Sequence, residues 1–159
     1  MHHRLVCGNC GLEHPVDCLQ GLCTACRRPL LARYDLAAIR HTFTPELVRR
    51  RADRSLWRFH EVLPVDDPGQ AISLGEGGTP LLHCRPRGPF ARFPRLFFKD
   101  ESFNPTASFK ARGMTAAVTR AAALGVTTIA LPSAGNAAGA AAYYAARAGL
   151  DCVLFMPQD

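Results

Sequence analysis

Residues 96–113 read LFFKDESFNPTASFKARG, and the rest of the chain is organised around them. The apolar run at 96–98 predicts a strand, and the alanine-rich pattern over 108–124 predicts a helix whose first turn contains Lys110. A helix N-terminus carries partial positive charge and free backbone N–H groups, so it disfavours an ammonium and suits an anion. Because a neutral amine can attack a carbonyl, Lys110 is the first candidate catalytic residue.

The segments that follow alternate between strand and helix patterns. Apolar runs at 126–131 and 152–156 predict strands, and residues 137–148 predict a second helix. Alternating strands and helices are typical of an open α/β sheet with parallel strands, which binds ligands at the carboxyl ends of its strands. Lys110 and Asn136 both follow predicted strand ends, so we expect them at the same edge of the sheet.

Two Cys-x-x-Cys pairs lie near the N-terminus: Cys7, Cys10, Cys23 and Cys26. Their spacing predicts a zinc ribbon in which four thiolates complete a closed, structural metal site. Cys18 and His14 lie between the pairs and remain candidate ligands. The alternative is a small apolar module with four reduced cysteines. Ribbons of this kind also occur in nucleic-acid-binding proteins, so the motif alone does not name a function.

Composition sets outer limits on the function. The chain has 159 residues, 48% of them hydrophobic, and a net charge of +6 from 19 basic and 13 acidic residues. The excess charge is mostly arginine scattered over residues 27–58, which favours a solvated basic face over nucleic-acid binding. We identify neither a signal peptide nor a membrane span. Seven cysteines without a secretion signal indicate a reducing compartment, and we expect the cytoplasm.

Two further segments precede the lysine. Residues 55–64 read SLWRFHEVLP, for which core packing of Trp57 and Phe59 is the simplest interpretation. Residues 73–81 read SLGEGGTPL, a loop whose glycines let the backbone approach a ligand closely or simply connect two elements. Thr44, Pro45 and Glu46 predict a helix start.

Several of these segments resemble one enzyme family. Residues 104–113, NPTASFKARG, resemble the pyridoxal-phosphate lysine segment of the fold type II enzymes, which include threonine synthases, serine/threonine dehydratases and cysteine synthases. The threonine synthase pattern is close to NPTGSFKDRG, and Ala107 and Ala111 stand where it has glycine and aspartate. Residues 55–64 and 73–81 also resemble threonine synthase segments, and 133–136, SAGN, resemble the family's S-x-G-N turn.

The resemblance implies a fold and a set of site residues. It implies an incomplete open parallel sheet of the tryptophan synthase β-like kind, with a zinc-ribbon-like module at 1–33, a helical connector at 34–71 and the N-terminal part of the catalytic domain at 72–159. By resemblance, Lys110 carries pyridoxal 5'-phosphate as a Schiff base and moves protons. The remaining implied contacts are Ser133 and Asn136 to the cofactor, with Asn136 on the ring hydroxyl oxygen, and Thr79 and Ser108 to the substrate.

The implied reaction converts O-phospho-L-homoserine and water into L-threonine and phosphate, in an enzyme that is a homodimer at full length. The family's downstream phosphate loop does not occur in these residues, so we expect an N-terminal fragment with little or no activity alone. One alternative is another fold type II enzyme, such as a threonine dehydratase or a cysteate synthase. The other is a zinc-ribbon interaction module with a non-catalytic α/β remnant.

Overall fold

The computed structural model describes residues 3–158. The outer limits predicted for the first and last domains, Met1 and Asp159, lie outside that range. The longest helix in the described part of the chain has 14 residues, and no helix there combines the length and apolarity that a membrane crossing requires.

Residues 3–34 form a small antiparallel sheet that we call the cysteine module. Its central strand is β1 (His3–Cys7), which pairs with β2 (Glu13–His14) on one side and with β3 (Leu30–Tyr34) on the other. The loops that leave β1 and enter β3 carry the two cysteine pairs. The pairing therefore brings both pairs to the same end of the sheet.

Short helices connect this module to the rest of the chain. They are α1 (Leu36–Ile39), α2 (Pro45–Arg50) and 3₁₀ segments at Leu56–Val62 and Pro68–Gln70. The predicted start of α2 is confirmed, because the Thr44 hydroxyl accepts a hydrogen bond from the Leu47 N–H at 3.3 Å.

The strand before the lysine belongs to a separate antiparallel pair. Strand β4 (Leu81–His83) pairs with β5 (Phe97–Lys99), with Leu82 opposite Phe98, and short 3₁₀ turns at Gly88–Phe90 and Glu101–Phe103 lie beside them. The expectation that this strand joins the parallel sheet is therefore wrong. The loop between β4 and β5 contains only a short 3₁₀ turn at Gly88–Phe90 and no α-helix of the kind that usually carries a parallel crossover, so it joins the two strands as an antiparallel pair.

The predicted parallel pairing is present further along the chain. Helix α3 (Lys110–Ala123) is followed by β6 (Thr128–Pro132), α4 (Asn136–Ala148) and β7 (Asp151–Phe155). Strands β6 and β7 pair in parallel, with Ala130 opposite Val153. The open parallel sheet is thus observed as two strands within the described residues.

The core of this α/β part lies between its two long helices. Ala111, Val118 and Tyr144 form a fully buried cluster, against which Ile72, Leu74, Met114, Ile129, Ala148 and Leu150 pack. Exposure alternates along β6 and β7, so one face of the pair packs inward. The connector is tied to α3 through Trp57, whose indole N–H donates to the Thr115 hydroxyl at 2.8 Å. Core packing of Trp57 is therefore confirmed.

Candidate active site and cysteine cluster

The lysine turn, residues 104–110, ends at the first residue of α3. Lys110 is that residue, so it lies in the first turn as predicted, although the helix begins two residues later than the predicted start at Ser108. Lys110 is half-buried. Its backbone N–H donates to the buried Ser108 hydroxyl at 3.2 Å, and the Ala107 N–H donates to the Asn104 carbonyl at 2.8 Å. Ala107 has a φ of 52°, in the left-handed region that favours glycine. The turn therefore adopts a glycine-like backbone around an alanine.

The Lys110 amine is not committed to an acid. Its Nζ lies 4.4 Å from the centroid of the Phe109 ring, and within residues 3–158 the structure pairs it with no carboxylate. By contrast, Lys99 donates from Nζ to the Thr79 carbonyl at 2.5 Å. Of the two lysines in the chain, Lys110 is therefore the one with a reactive group available.

A second polar turn follows β6. The Ser133 N–H donates to the Phe155 carbonyl at 3.0 Å, and its hydroxyl accepts from the Gly135 N–H at 3.3 Å. Asn136 is exposed and begins α4, and Gly135 at the helix cap position provides no side chain to cap it. The first N–H groups of α4 and the Asn136 amide are thus available to a ligand.

Four side chains behind the lysine turn form what we call the arginine network. Arg112 donates from Nε to Glu101 Oε2 at 2.6 Å and from Nη2 to Glu101 Oε1 at 2.8 Å. Asn104 donates to Oε2 at 3.0 Å, and the Thr79 hydroxyl donates to Oε1 at 2.6 Å. Chiefly because of the bonds from Arg112, the pKa of Glu101 is lowered to about 2.

Thr79 is buried within this network. Its hydroxyl donates to Glu101 and accepts from Arg112 Nη2 at 3.2 Å. In this structure Thr79 therefore joins the loop that carries it to the lysine helix. A contact between Thr79 and substrate stays a prediction, as does the one from Ser108.

The glutamate loop, residues 73–79, contains a buried acid that the sequence did not single out. Glu76 is 0% exposed. Its Oε1 accepts from the Ser73 hydroxyl at 3.0 Å, and its Oε2 accepts from the Leu74 N–H at 3.0 Å and from the Tyr144 hydroxyl at 2.5 Å. Burial, and secondly the bond to Glu76, raises the pKa of Tyr144.

The glycines of this loop permit a close backbone approach, as predicted, but the partner is the chain itself. Gly77 has a φ of 104°, and a Cβ there would lie 2.9 Å from the Leu56 nitrogen. The Leu56 N–H donates to the Glu76 carbonyl at 2.7 Å, and the Gly77 N–H donates to Asn104 Oδ1 at 3.1 Å. The loop is thus built into the fold from several sides.

The predicted site residues gather around two helix starts. Ser108 and Lys110 lie at the start of α3, and Ser133 and Asn136 lie at the start of α4, which packs against α3. The argument from a shared sheet edge holds for Asn136, which follows β6. It does not hold for Lys110, because β5 is not part of the parallel sheet.

The four predicted cysteines converge. Their Sγ atoms all lie within 4.8 Å of one another, with separations of 3.4 Å for Cys7 and Cys26, 3.6 Å for Cys10 and Cys26, and 3.7 Å for Cys10 and Cys23. Sulfur atoms about 2.3 Å from a tetrahedral zinc ion lie about 3.8 Å apart. The cluster therefore matches the dimensions of such a site.

The two cysteine turns repeat one hydrogen-bond pattern. In the first, the Cys7 N–H donates to the Leu12 carbonyl at 2.9 Å and the Gly11 N–H donates to the Cys7 carbonyl at 3.2 Å. The second repeats both bonds from Cys23 and Arg27, each at 2.9 Å. Backbone N–H groups of Cys10 and Asn9 also point at the Cys7 sulfur and lower the Cys7 pKa to about 6, which favours the thiolate that binds metals.

The spare candidates lie outside the cluster. Cys18 is exposed, and its sulfur accepts a hydrogen bond from Gln20 Nε2 at 3.1 Å. His14 is buried in β2 and is not among the grouped ligands. Within the described residues, the side chains grouped closely enough to hold a metal ion are therefore the four cysteines of the two pairs.

Comparison with known proteins agrees with this arrangement. A family described as pyridoxal-phosphate dependent enzymes matches residues 72–159. The chain is 40% identical over 152 residues to the threonine synthase of Methanocaldococcus jannaschii, covering 96% of this chain and 37% of the relative. It is 37% identical over 157 residues to that of Methanosarcina acetivorans, covering 99% and 37%. The match to the threonine synthase of Mycobacterium leprae is 45% over 100 residues, covering 63% and 28%.

These relatives are longer proteins, and the chain spans about 37% of the length of the first two. The family match nevertheless covers more than half of the chain. It includes the lysine turn, the whole arginine network and the start of α4. This chain belongs to the pyridoxal-phosphate dependent enzyme family.

Proposed function

We propose that this protein acts as a threonine synthase, converting O-phospho-L-homoserine and water into L-threonine and phosphate. The observation that carries the proposal is Lys110, a half-buried amine without an acid partner in the described residues, at the start of a helix within the family match. The particular reaction is supported by the names of the relatives, and it is proposed for the whole protein, because the chain spans only part of their length.

The residues present fit pyridoxal 5'-phosphate. An uncommitted lysine amine and an exposed asparagine amide are the groups that an aldehyde with a ring hydroxyl requires. Lys110 would hold the aldehyde carbon, Asn136 the ring hydroxyl oxygen, and Ser133 the neighbouring part of the ring. When bound, the cofactor supplies an electron sink that weakens bonds at the substrate's amino-bearing carbon.

Lys110 then has a second task. Its amine takes a proton from the substrate carbon and returns it, acting in turn as general base and general acid. Ser108 supports this task, because its hydroxyl fixes the backbone N–H of Lys110. We propose Ser108, from the lysine turn, and Thr79, from the glutamate loop, as substrate contacts as well.

We further propose that the cysteine cluster holds a structural zinc ion. Four thiolates fill a tetrahedral coordination shell and leave no position for water or substrate, so such an ion stabilises rather than catalyses. The sulfur separations and the repeated backbone pattern support this proposal. On the same basis, residues 1–33, 34–71 and 72–159 would act as metal module, connector and catalytic part.

Cellular location and assembly are also proposals. Free cysteines, four of which are grouped closely enough to hold a metal ion, favour the cytoplasm, where thiols stay reduced. We propose a homodimer for the whole protein, which light scattering would test directly. The partner of the site is then a small amino-acid phosphate rather than a macromolecule.

Borohydride trapping tests the cofactor proposal. The chain has two lysines, Lys99 and Lys110, which allows a matched pair of variants, Lys99→Arg and Lys110→Arg. After incubation with pyridoxal phosphate and reduction, we expect the label on Lys110, retained in Lys99→Arg and lost in Lys110→Arg. Label divided evenly between both lysines, or its persistence in Lys110→Arg, would contradict the proposal.

Product analysis tests the reaction. A threonine synthase releases phosphate from O-phospho-L-homoserine, whereas a dehydratase releases ammonia from threonine or serine. We expect stoichiometric phosphate and threonine from the active enzyme, both abolished by Lys110→Arg. Ammonia release without phosphate would favour the dehydratase alternative.

A further inference from the structure

Glu76 is a fully buried carboxylate at the contact between the glutamate loop and α4. It takes two hydrogen bonds from its own loop, given by Ser73 and Leu74, and one across the contact, given by Tyr144. Burying a carboxylate is costly, and an apolar side chain of similar volume often fills such a place at least as well. Stability alone therefore gives little reason for an acid here.

The same loop is bonded on its other side to the lysine turn. The Gly77 N–H donates to Asn104 Oδ1 at 3.1 Å, and the Thr79 hydroxyl donates to Glu101, which Arg112 also holds. A continuous series of hydrogen bonds thus runs from the start of α3 through the loop and Glu76 to Tyr144 on α4.

This connection adds to the packing of α3 against α4, which by itself sets the relative position of the two helix starts only weakly. Strand β5 and strand β6 belong to different sheets, so no strand pairing sets the distance between the lysine turn and the start of α4. The buried surface of α4 is largely alanine, at Ala138, Ala140, Ala141 and Ala145. Small side chains interdigitate little, so packing alone specifies the register of the helices weakly.

We infer that Glu76 is a positioning residue that, through Tyr144 in the second half of α4, fixes that helix against the glutamate loop and the lysine turn. This inference rests on the proposed function for its purpose, which is to hold Asn136 in register with Lys110. Its physical content, the coupling of two segments by one buried carboxylate, does not depend on any cofactor.

Amide hydrogen exchange tests the coupling in the chain without cofactor. Each variant changes a residue on one side of the bond between Glu76 and Tyr144, and exchange is measured at an amide on the other side. Tyr144→Phe removes the bond from α4, and its effect is read at the Gly77 amide in the loop. Glu76→Met removes the acceptor, and its effect is read at the Gly139 amide, which donates to the Gly135 carbonyl in the first turn of α4. We expect exchange at the distant amide to rise about tenfold in each case, the scale of one lost bond to a buried charge.

Two further variants separate coupling from general destabilisation. Glu76→Gln can accept from Tyr144 and Leu74 through its carbonyl and donate to Ser73, so it should restore slow exchange at Gly139. Thr119→Val removes a different buried bond, from the Ile72 N–H to the Thr119 hydroxyl of α3 at 2.9 Å, and leaves the bonds of Glu76 in place. Exchange at Gly77 and at Gly139 should therefore stay close to that of the unmodified chain. Should Glu76→Met fail to fold, Tyr144→Phe and Glu76→Gln still decide the matter.

The inference is overturned if Tyr144→Phe leaves exchange at Gly77 unchanged, or if Thr119→Val raises exchange at both amides as much as Tyr144→Phe does. Trapping at Lys110 then adds a functional readout. We expect Tyr144→Phe to raise the pyridoxal phosphate concentration for half-maximal labelling about tenfold while Thr119→Val does not. Absence of labelling in the unmodified chain would contradict cofactor binding by these residues without the rest of the protein. It would leave the coupling untouched, because amide exchange decides the coupling independently.

Discussion

The cysteine module and the α/β part of the chain have different kinds of interior. Fully buried side chains in the module are mainly polar or sulfur-bearing, with Cys7 and Cys23 at its centre. In the α/β part, residues 72–158, the interior has an apolar cluster of Ala111, Val118 and Tyr144 beside the buried alanines of α4, together with buried polar side chains that include the acid Glu76. A module of this size buries little apolar surface, so the metal ion proposed for its four sulfur atoms would supply much of its stability.

The two regions meet at the end of α3 that is distant from the lysine. Arg120, in the last turn of α3, donates to the Val16 carbonyl of the module. Lys110 lies at the other end of the same helix, about 15 Å away at 1.5 Å per residue. Loss of the module should therefore affect the last turn of α3 first and the lysine turn last.

The largest expected effect is the loss of a cluster cysteine. Cys23→Ser removes a buried ligand, and structural zinc binding contributes on the order of 10 kcal/mol to the folding of small metal modules. We expect zinc content to fall from one ion per chain to well below one, and amides of β1 and β3 to lose protection while those of α4 keep it. Mass spectrometry for metal and amide exchange would measure both.

Cys18→Ser is the matched control, because Cys18 is an exposed cysteine outside the cluster. It should leave zinc content and amide protection unchanged. Equal metal binding by Cys23→Ser and Cys18→Ser would show that the cluster is not a metal site, and the contrast between the two regions would then fail.

The next effect concerns the α/β part. Arg112→Met removes the two hydrogen bonds from Arg112 to Glu101, and bonds to charged groups contribute about 2 kcal/mol. Arg49→Met is the comparison, because Arg49 makes only an exposed pair with Glu46 at 3.8 Å, worth well under about 1 kcal/mol. Urea unfolding monitored on α3 and α4 should separate the two, and equal losses would contradict the role given to the arginine network.

Acid titration should reveal the same network. The pKa of Glu101 is lowered from 4.5 to about 2, so its ionised form stabilises the folded state above pH 4.5. We expect the stability difference between the unmodified chain and Glu101→Gln, about 1 kcal/mol at neutral pH, to shrink as the pH falls from 4.5 towards 2. A stability difference that stays constant between pH 4.5 and 2 would contradict the role given to this carboxylate.

Local patterns predicted most of the α/β part. Short-range spacing predicts a helix whose first turn contains Lys110 and a parallel β6–β7 pair, and in the other region it predicts the cysteine cluster. The structure contains each of these features. These features depend on residues within one turn, one knuckle or one β-α-β unit, so the sequence window that encodes them is short.

What the sequence did not predict depends on distant partners. The pairing of β4 with β5 joins two three-residue strands, too short for their pattern to select a partner. The bond between Glu76 and Tyr144 joins residues 68 positions apart, and nothing near either residue announces the other. The resemblance implies a substrate contact for Thr79, which stays a prediction. The sharing of its hydroxyl between Glu101 and Arg112, a set that spans 34 residues of sequence from 79 to 112, was not predicted.

The smallest expected effects come from substituting glycine for one residue at positive φ in each region. Arg27, with a φ of 58°, and Ala107, with a φ of 52°, are the two described non-glycine residues at positive φ, one in the second cysteine turn and one in the lysine turn. Glycine relieves a left-handed strain of about 1–2 kcal/mol but adds about 0.5–1 kcal/mol of unfolded-state entropy, a net gain of about 0.5 kcal/mol. Arg27→Gly should raise resistance to chelators without changing the urea midpoint of α3 and α4. Ala107→Gly should raise that urea midpoint without changing resistance to chelators.

Gly11 gives the opposite test in the first cysteine turn. It holds the position that Arg27 holds in the second, has a φ of 76°, and has open space where a Cβ would lie. Gly11→Ala should therefore lower chelator resistance by the same net difference between backbone strain and unfolded-state entropy, about 0.5 kcal/mol. If Gly11→Ala and Arg27→Gly shift chelator resistance in the same direction, the two turns are not equivalent, and the metal module is held together by something other than its repeated backbone geometry.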